Sequence, residues 1–124
     1  MDEVNVRGFR GLRVWHAAMK LVDDIYKASD PLPKCEDYAL KGQLRRSACS
    51  VPSNIAEGTA RGTKKDYLSF LRIAAGSLRE LETQLEICVR VGYLSPNQYE
   101  LLRKDVEVIA RMLTALMSSV RKTA

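Results

Sequence analysis

Side-chain catalysis needs a nucleophile beside a base, a working carboxylate pair or a metal cluster, and this 124-residue chain is poor in the residue types for each. His16 is the only histidine. A di-iron bundle requires a Glu-x-x-His pair on each of two helices, and Arg13 occupies the position three before His16, so that chemistry is closed. A Ser-His-Asp or Cys-His relay would have to use the same imidazole, and no nucleophile turn surrounds it. Cys35, Cys49 and Cys88 are odd in number and share no short spacing, which fits reduced thiols better than a disulfide frame or a zinc site. No glycine-rich loop follows a strand pattern, so a phosphate-cradling nucleotide site is absent. Glu57 and Glu80, if buried together, could do acid-base work; the ordinary outcome for carboxylates in polar seams with arginines nearby is an ion pair or a helix-end contact. The expectation is a non-enzyme with no catalytic residue, no metal and no cofactor.

What remains is charge. Lys41, Arg45, Arg46, Arg61, Lys64, Lys65 and Arg72 form a basic set in a chain of net charge +5. Residues 41–79 hold eight Lys/Arg against two Asp/Glu, whereas residues 1–40 hold six against seven and residues 80–124 six against six. The middle third therefore carries the whole excess. Such a patch suits phosphate backbones, anionic membranes or acidic proteins and discriminates poorly among them; its plain alternative is a solvated face. Lys64 and Lys65 fall in the first turn of a predicted helix, where positive charge opposes the dipole, a weak hint of a use beyond stability. No aromatic stacking platform accompanies the arginines, so contacts would fall on phosphates with little sequence reading.

Helices must position these groups. At 28% charged and 46% hydrophobic, the chain has the composition of one globular domain spanning residues 1–124. Leu40, Leu44, Ala48, Val51 and Ile55 gather on one helical face, and Gln43, Ser47, Ser50, Asn54 and Glu57 form a polar seam beside it. Lys41, Arg45 and Arg46 take the remaining flank. Pro52 removes a backbone donor within this pattern and predicts a kink bridged by the Ser47 or Ser50 hydroxyl. The first helix shows a principal stripe of Leu12, Trp15, Met19, Val22 and Tyr26, widened by Val14, Ala18, Leu21 and Ile25, and ends at Asp30, Pro31 and Pro33. Asp37 is the expected N-cap of the second helix, with Gly58 and Gly62 competing for its C-cap.

Thr63 and Asp66 read as a capping box for the third helix, whose seam is Tyr67, Leu71, Ala74, Leu78, Leu81, Leu85 and Cys88, with Gly92 as its C-cap. Ser95-Pro96-Asn97-Gln98 opens the fourth, with Tyr99, Leu102, Val106, Ile109, Leu113, Leu116 and Val120 as its seam. Helices over about 12–29, 38–60, 64–91 and 96–121, joined by short loops, predict an all-α, antiparallel up-down-up-down four-helix bundle.

Residues outside the seams add further expectations. Phe70, Ile73 and Ile87 on the third helix, and Leu101, Val108 and Met112 on the fourth, lie off the principal stripes and suggest burial against another subunit. Ser77, Glu80 and Gln84 would form a polar ladder with the second helix, pairing Asn54 with Ser77, Ser50 with Glu80 and Ser47 with Gln84. Gly76, costly inside a helix, implies a close helix crossing there. The segment MDEVNVRGFRG lacks an apolar run and no stretch is long enough to span a membrane, so a cytoplasmic protein is expected.

Gln43-Leu44-Arg45-Arg46, the run Ser50-Val51-Pro52-Ser53-Asn54-Ile55-Ala56-Glu57-Gly58, and Phe70-Leu71, Ile73-Ala74 and Gly76-Ser77-Leu78-Arg79-Glu80-Leu81 together resemble the four-helix-bundle proteins encoded within intervening sequences of bacterial 23S ribosomal RNA genes. The resemblance extends from about Phe9 through the last helix, and the same family includes the accessory variability determinant of diversity-generating retroelements. It implies a small antiparallel bundle that assembles into a ring-like homo-oligomer, typically a pentamer, with a basic surface and, in some members, nucleic-acid binding. At the first helix Arg10-Gly11 precede Leu12-Arg13-Val14-Trp15 where members usually have an acidic residue, which makes the entry more basic and leaves its N-cap open. Two functions follow as expectations: a homo-oligomer binding RNA or a ribonucleoprotein, or an adaptor oligomer whose partner is a protein. Neither calls for a membrane or a small-molecule substrate.

Overall fold

A computed structural model describes residues 8–123. A short 3-10 turn, Gly8–Gly11, leads into four helices: α1 (Arg13–Ser29), α2 (Leu40–Thr59), α3 (Lys64–Arg90) and α4 (Pro96–Lys122), with a second 3-10 turn, Lys34–Glu36, between α1 and α2. Each helix begins and ends within two residues of its predicted boundary, and no strand occurs among the described residues.

Consecutive helices run antiparallel. Arg45 reaches Ser29 and Tyr26 while Lys41 reaches Asp30, Ser47 meets Gln84 while Ser50 meets Ser77, and Tyr99 meets Glu86 while Lys64 meets Arg121. The α2–α3 pair packs most extensively. Between the helices lies one apolar cluster in which Val51, Ile55, Leu71, Leu78, Leu81 and Leu113 are wholly inaccessible. Burying a leucine or isoleucine side chain contributes about 1.5–3 kcal/mol, so this cluster supplies most of the driving force for folding.

The helix ends are set locally. Thr63 Oγ1 accepts from the Asp66 amide at 3.1 Å, and Ser95 with Gln98 forms a complete capping box behind Pro96. Gly92 takes φ +88°, and the amides of Tyr93 and Gly92 return to the Cys88 and Val89 carbonyls at 2.8 and 3.3 Å, which closes α3 in a Schellman arrangement.

Several sequence expectations give way to packing. In α1 the row Val14, Ala18, Leu21 and Ile25 is the core face, while Met19 and Tyr26 are exposed: the larger residues hold the shoulders of the helix and the smaller ones let α1 approach its neighbours. Leu12, at the α1 N-cap, gives no side-chain cap. Asp37 does not cap α2; Glu36 Oε1 accepts from the Leu40 amide at 3.2 Å and Asp37 pairs with Lys41 at 3.6 Å. Neither Gly58 nor Gly62 caps α2, which ends at Ala60 in a right-handed conformation. Gly58 instead lies inside the helix, where a Cβ would stand 3.0 Å from Tyr67 Cδ1 and 3.1 Å from Phe70 Cβ. Gly76 is exposed, with no atom of the described residues within 4 Å of an added Cβ, so no crossing among them accounts for it. α2 runs unbroken through Pro52; Ser47 Oγ donates to the Leu44 carbonyl and Asn54 Nδ2 to that of Ser50, leaving the Ala48 carbonyl unbridged by the hydroxyls expected there.

The three thiols are free and graded in access: Cys35 exposed, Cys49 half-buried with its sulfur 3.9 Å from Tyr26 Oη, Cys88 buried. Desolvation pushes the Cys88 thiol up to about 11, with Glu36 adding to the effect. An aromatic disulfide reagent at neutral pH should therefore titrate Cys35 at once and Cys88 only on unfolding. Because the raised value holds Cys88 neutral, its burial weakens the fold as pH climbs past about 9, where the unfolded thiol ionises and the folded one does not. Rapid labelling of all three thiols in the folded protein would contradict this order.

Candidate functional site

The polar seam between α2 and α3 is a ladder of short bonds. Ser47 Oγ lies 2.6 Å from Gln84 Oε1, the Ser50 and Ser77 hydroxyls are 2.7 Å apart, and Asn54 Nδ2 donates to Ser50 Oγ at 2.9 Å. Ser47, Ser77 and Gln84 are buried. Two rungs differ from expectation: Ser50 meets Ser77 in place of Glu80, and Asn54 bonds within its own helix. Two short hydroxyl side chains draw the helices together here and push the longer Glu80 to the rim. That rim borders an open groove of about 600 Å³ lined by Gln43, Arg46, Ser47, Ser50, Ser77, Glu80 and Gln84. Glu57 and Glu80 are not brought together; Glu57, near the end of α2, pairs with Arg61 at 2.7 Å. The carboxylate pair does not form.

The basic set divides. Arg45 caps the end of α1, with Nε donating to Ser29 Oγ at 3.0 Å, Nη2 to the Tyr26 carbonyl at 3.2 Å, an ion pair to Asp30 at 3.7 Å and the guanidinium 4.4 Å from the centre of the Tyr26 ring. Lys41 donates to the Asp30 carbonyl at 3.3 Å. These two face α1, whereas Arg46 lines the groove toward α3. A rotation of about a hundred degrees per residue around the helix axis separates Arg45 from Arg46, neighbours in the sequence. Arg61 is paired with Glu57 and lies 4.7 Å from the Phe70 ring centre. Lys64 donates to the Arg121 carbonyl at 3.1 Å and also to that of Thr123. Its position at the α3 N-terminus is thereby explained: the ammonium serves the carbonyl end of α4, where the dipole favours a cation. Among the described residues, Arg46, Lys65 and Arg72 have no ion pair or side-chain hydrogen bond, and Lys65, Arg72 and Arg79 follow one another at heptad steps along the outer side of α3.

The antiparallel order then assembles a second set. The first 3-10 turn, the start of α1, the end of α2 with its linker, the start of α3 and the end of α4 share one end of the bundle. Among the described residues, that end carries Arg10, Arg13, Arg61, Lys64, Lys65, Arg121 and Lys122 against Glu57 and Asp66. The opposite end, built from the α1–α2 linker and the helix turns around it, carries Lys27, Lys34, Lys41 and Arg90 against Asp30, Glu36 and Asp37. Sequence reasoning missed Arg10, Arg13, Arg121 and Lys122 because they come from thirds of the chain whose charges balance.

Aromatic rings accompany these cations, contrary to expectation. Phe9 and Trp15 have ring centres 5.0 Å apart at 55°, Trp15 and His16 pack edge to face at 5.0 Å, and the Arg10 guanidinium lies 4.9 Å from the Phe9 centre. His16 Nε2 donates to the Arg10 carbonyl at 2.8 Å. The 3-10 turn that brings Phe9 back onto Trp15 leaves no periodic trace in the sequence.

The off-stripe apolar residues are also placed. Ile73, Ile87, Leu101 and Val108 are exposed, Leu101 to 67%, while Phe70 lies half-buried under Arg61 and Met112 half-buried against the core. Among the described residues no cluster of metal-ligating side chains occurs, and no helix is long and apolar enough to cross a membrane.

No curated protein matches the chain. A solved structure from Bacteroides thetaiotaomicron, a protein with unknown function from the S23 ribosomal protein family, superimposes with a TM-score of 0.78 at 24% identity, over 89% of this chain and 99% of that one. At that identity the likeness speaks for the four-helix fold alone. The family model of the 23S rRNA-intervening sequence protein matches residues 10–115, and the chain belongs to that family.

Proposed function

We propose that this protein is a non-enzymatic, cytoplasmic homo-oligomer that binds RNA, or a ribonucleoprotein, through the basic end of its bundle. The observation that carries the reading is the excess of cations at that end, seven against two among the described residues, beside four against three at the other. Backbone phosphates are the natural ligand of such a surface, since each neutralised phosphate releases condensed counterions. Lys65 and Arg72, which no acid among the described residues engages, extend the surface along α3. Lys41 and Arg45 are withdrawn from it, being committed to α1, and Arg46 stands apart in the groove.

Assembly follows from the exposed apolar rows. Ile73 and Ile87 stand one heptad to either side of Glu80, on the groove side of α3, whereas Leu101 borders the cleft between α1 and α4. Two unlike patches on different faces favour head-to-tail association, which closes into a ring when the rotation between successive subunits divides a full turn. A ring of five is the size the resemblance implies. If the same rows receive a different protein, the adaptor reading holds and RNA plays no part.

The test is anisotropy of a labelled single-stranded RNA with the full chain at about 50 and 200 mM salt, where several phosphate contacts predict a loss of affinity of about a thousandfold. Arg61→Glu with Lys65→Glu and Lys122→Glu should abolish binding at unchanged helicity, while Lys34→Glu with Arg90→Glu, at the opposite end, should leave most of it. No binding at low salt, or equal damage from both sets, would overturn the proposal.

A further inference from the structure

We infer that Phe9 and Trp15 form a stacking platform for an unpaired base of single-stranded RNA, now covered by Arg10, whose guanidinium the base displaces toward a neighbouring phosphate. The inference rests on the RNA reading above and adds base contact to it. Both rings are half-buried, so each is anchored and keeps an accessible part. Their cover is the exposed Arg10 side chain, 4.9 Å from the Phe9 centre and 5.8 Å from that of Trp15, with no ion pair among the described residues.

The turn beneath is held at two points. The Leu12 amide bonds the Phe9 carbonyl at 3.0 Å, and His16 Nε2 bonds the Arg10 carbonyl at 2.8 Å. The backbone is therefore set before any ligand arrives, while among the described residues the Arg10 side chain is tethered by its contact with the rings alone. An exposed guanidinium resting on a ring is held more weakly than a nucleobase stacked on the same ring, so the exchange favours the base. The released guanidinium stays at the cationic end of the bundle, where the strand's phosphates would run. Duplex RNA keeps its bases stacked inside and can engage only the charges.

Trp15 is the only tryptophan, so its emission reports on this cluster alone. The full chain at low salt is titrated with a short oligoadenylate, with an RNA duplex and with inorganic polyphosphate, following Trp15 emission and ligand binding in parallel. Oligoadenylate should quench Trp15 with the same midpoint as its binding, while duplex and polyphosphate bind without quenching. Phe9→Ala should weaken oligoadenylate binding about tenfold and leave duplex binding unchanged. If oligoadenylate binds and Trp15 emission does not change, or polyphosphate quenches equally, the platform is refuted while the phosphate reading stands. If none of the three binds, both fall. Should Phe9→Ala fail to fold, the quenching of the unsubstituted protein still decides.

Discussion

Leu81→Ala should lower protomer stability by about 2–5 kcal/mol, whereas Ile73→Ala should change it by less than about 0.5 kcal/mol. Both side chains lie on α3, and both are large and apolar. Leu81 is wholly inaccessible at the centre of the four-helix cluster, so truncation removes its transfer free energy and leaves a cavity that helices on all sides cannot close. Ile73 is 49% exposed and loses little in the isolated protomer. Its effect should appear in assembly: sedimentation of Ile73→Ala, and more strongly of Ile73→Glu with Leu101→Glu, should shift toward smaller species at constant helicity. Urea unfolding below the dissociation concentration measures the first half of the contrast. If the Ile73 variants assemble normally, the exposed rows are not the subunit contact.

A second contrast uses two helical glycines of opposite character. Gly58→Val should destabilise by about 1–3 kcal/mol, because the first atom of any side chain would stand 3.0 Å from the buried Tyr67 ring and 3.1 Å from Phe70 Cβ, with more atoms behind it. Gly76→Ala should stabilise by about 0.5–1 kcal/mol: the position is mid-helix, a Cβ meets nothing within 4 Å, and alanine removes backbone freedom from the unfolded chain. Thermal unfolding of the two variants side by side gives the signs directly. A Gly76→Ala protein that folds better but assembles worse would show that a neighbouring copy approaches α3 at that point. A Gly58→Val protein of unchanged stability would contradict the close α2–α3 approach.

Most of the architecture is legible in the amino-acid order. Helix-period stripes, the Thr63 and Ser95 caps, Pro96 at the first helical position and Gly92 past the last are local signals, and local hydrogen bonding decided them. The failures share a different origin. In α1 two apolar rows competed, and only packing chose Val14, Ala18, Leu21 and Ile25 over the row bearing Met19 and Tyr26. Gly58 and Gly76 look alike in a sequence, since a glycine reports that space or conformation matters without saying which neighbour demands it. Lys64 looked misplaced at a helix start because its partners, the Arg121 and Thr123 carbonyls, lie at the far end of the chain.

The candidate site shows the same division. By itself the amino-acid order determined four amphipathic helices, the polar ladder residues of α2 and α3, and a basic middle third. The fold alone decided which cations act together. It turned Lys41 and Arg45 toward α1. It also brought Arg10 and Arg13 from one terminus and Arg121 and Lys122 from the other to the same end of the bundle. Periodicity along a helix is written at intervals of three and four residues, so a sequence discloses it; proximity between chain ends depends on how antiparallel helices return, and no local interval encodes that.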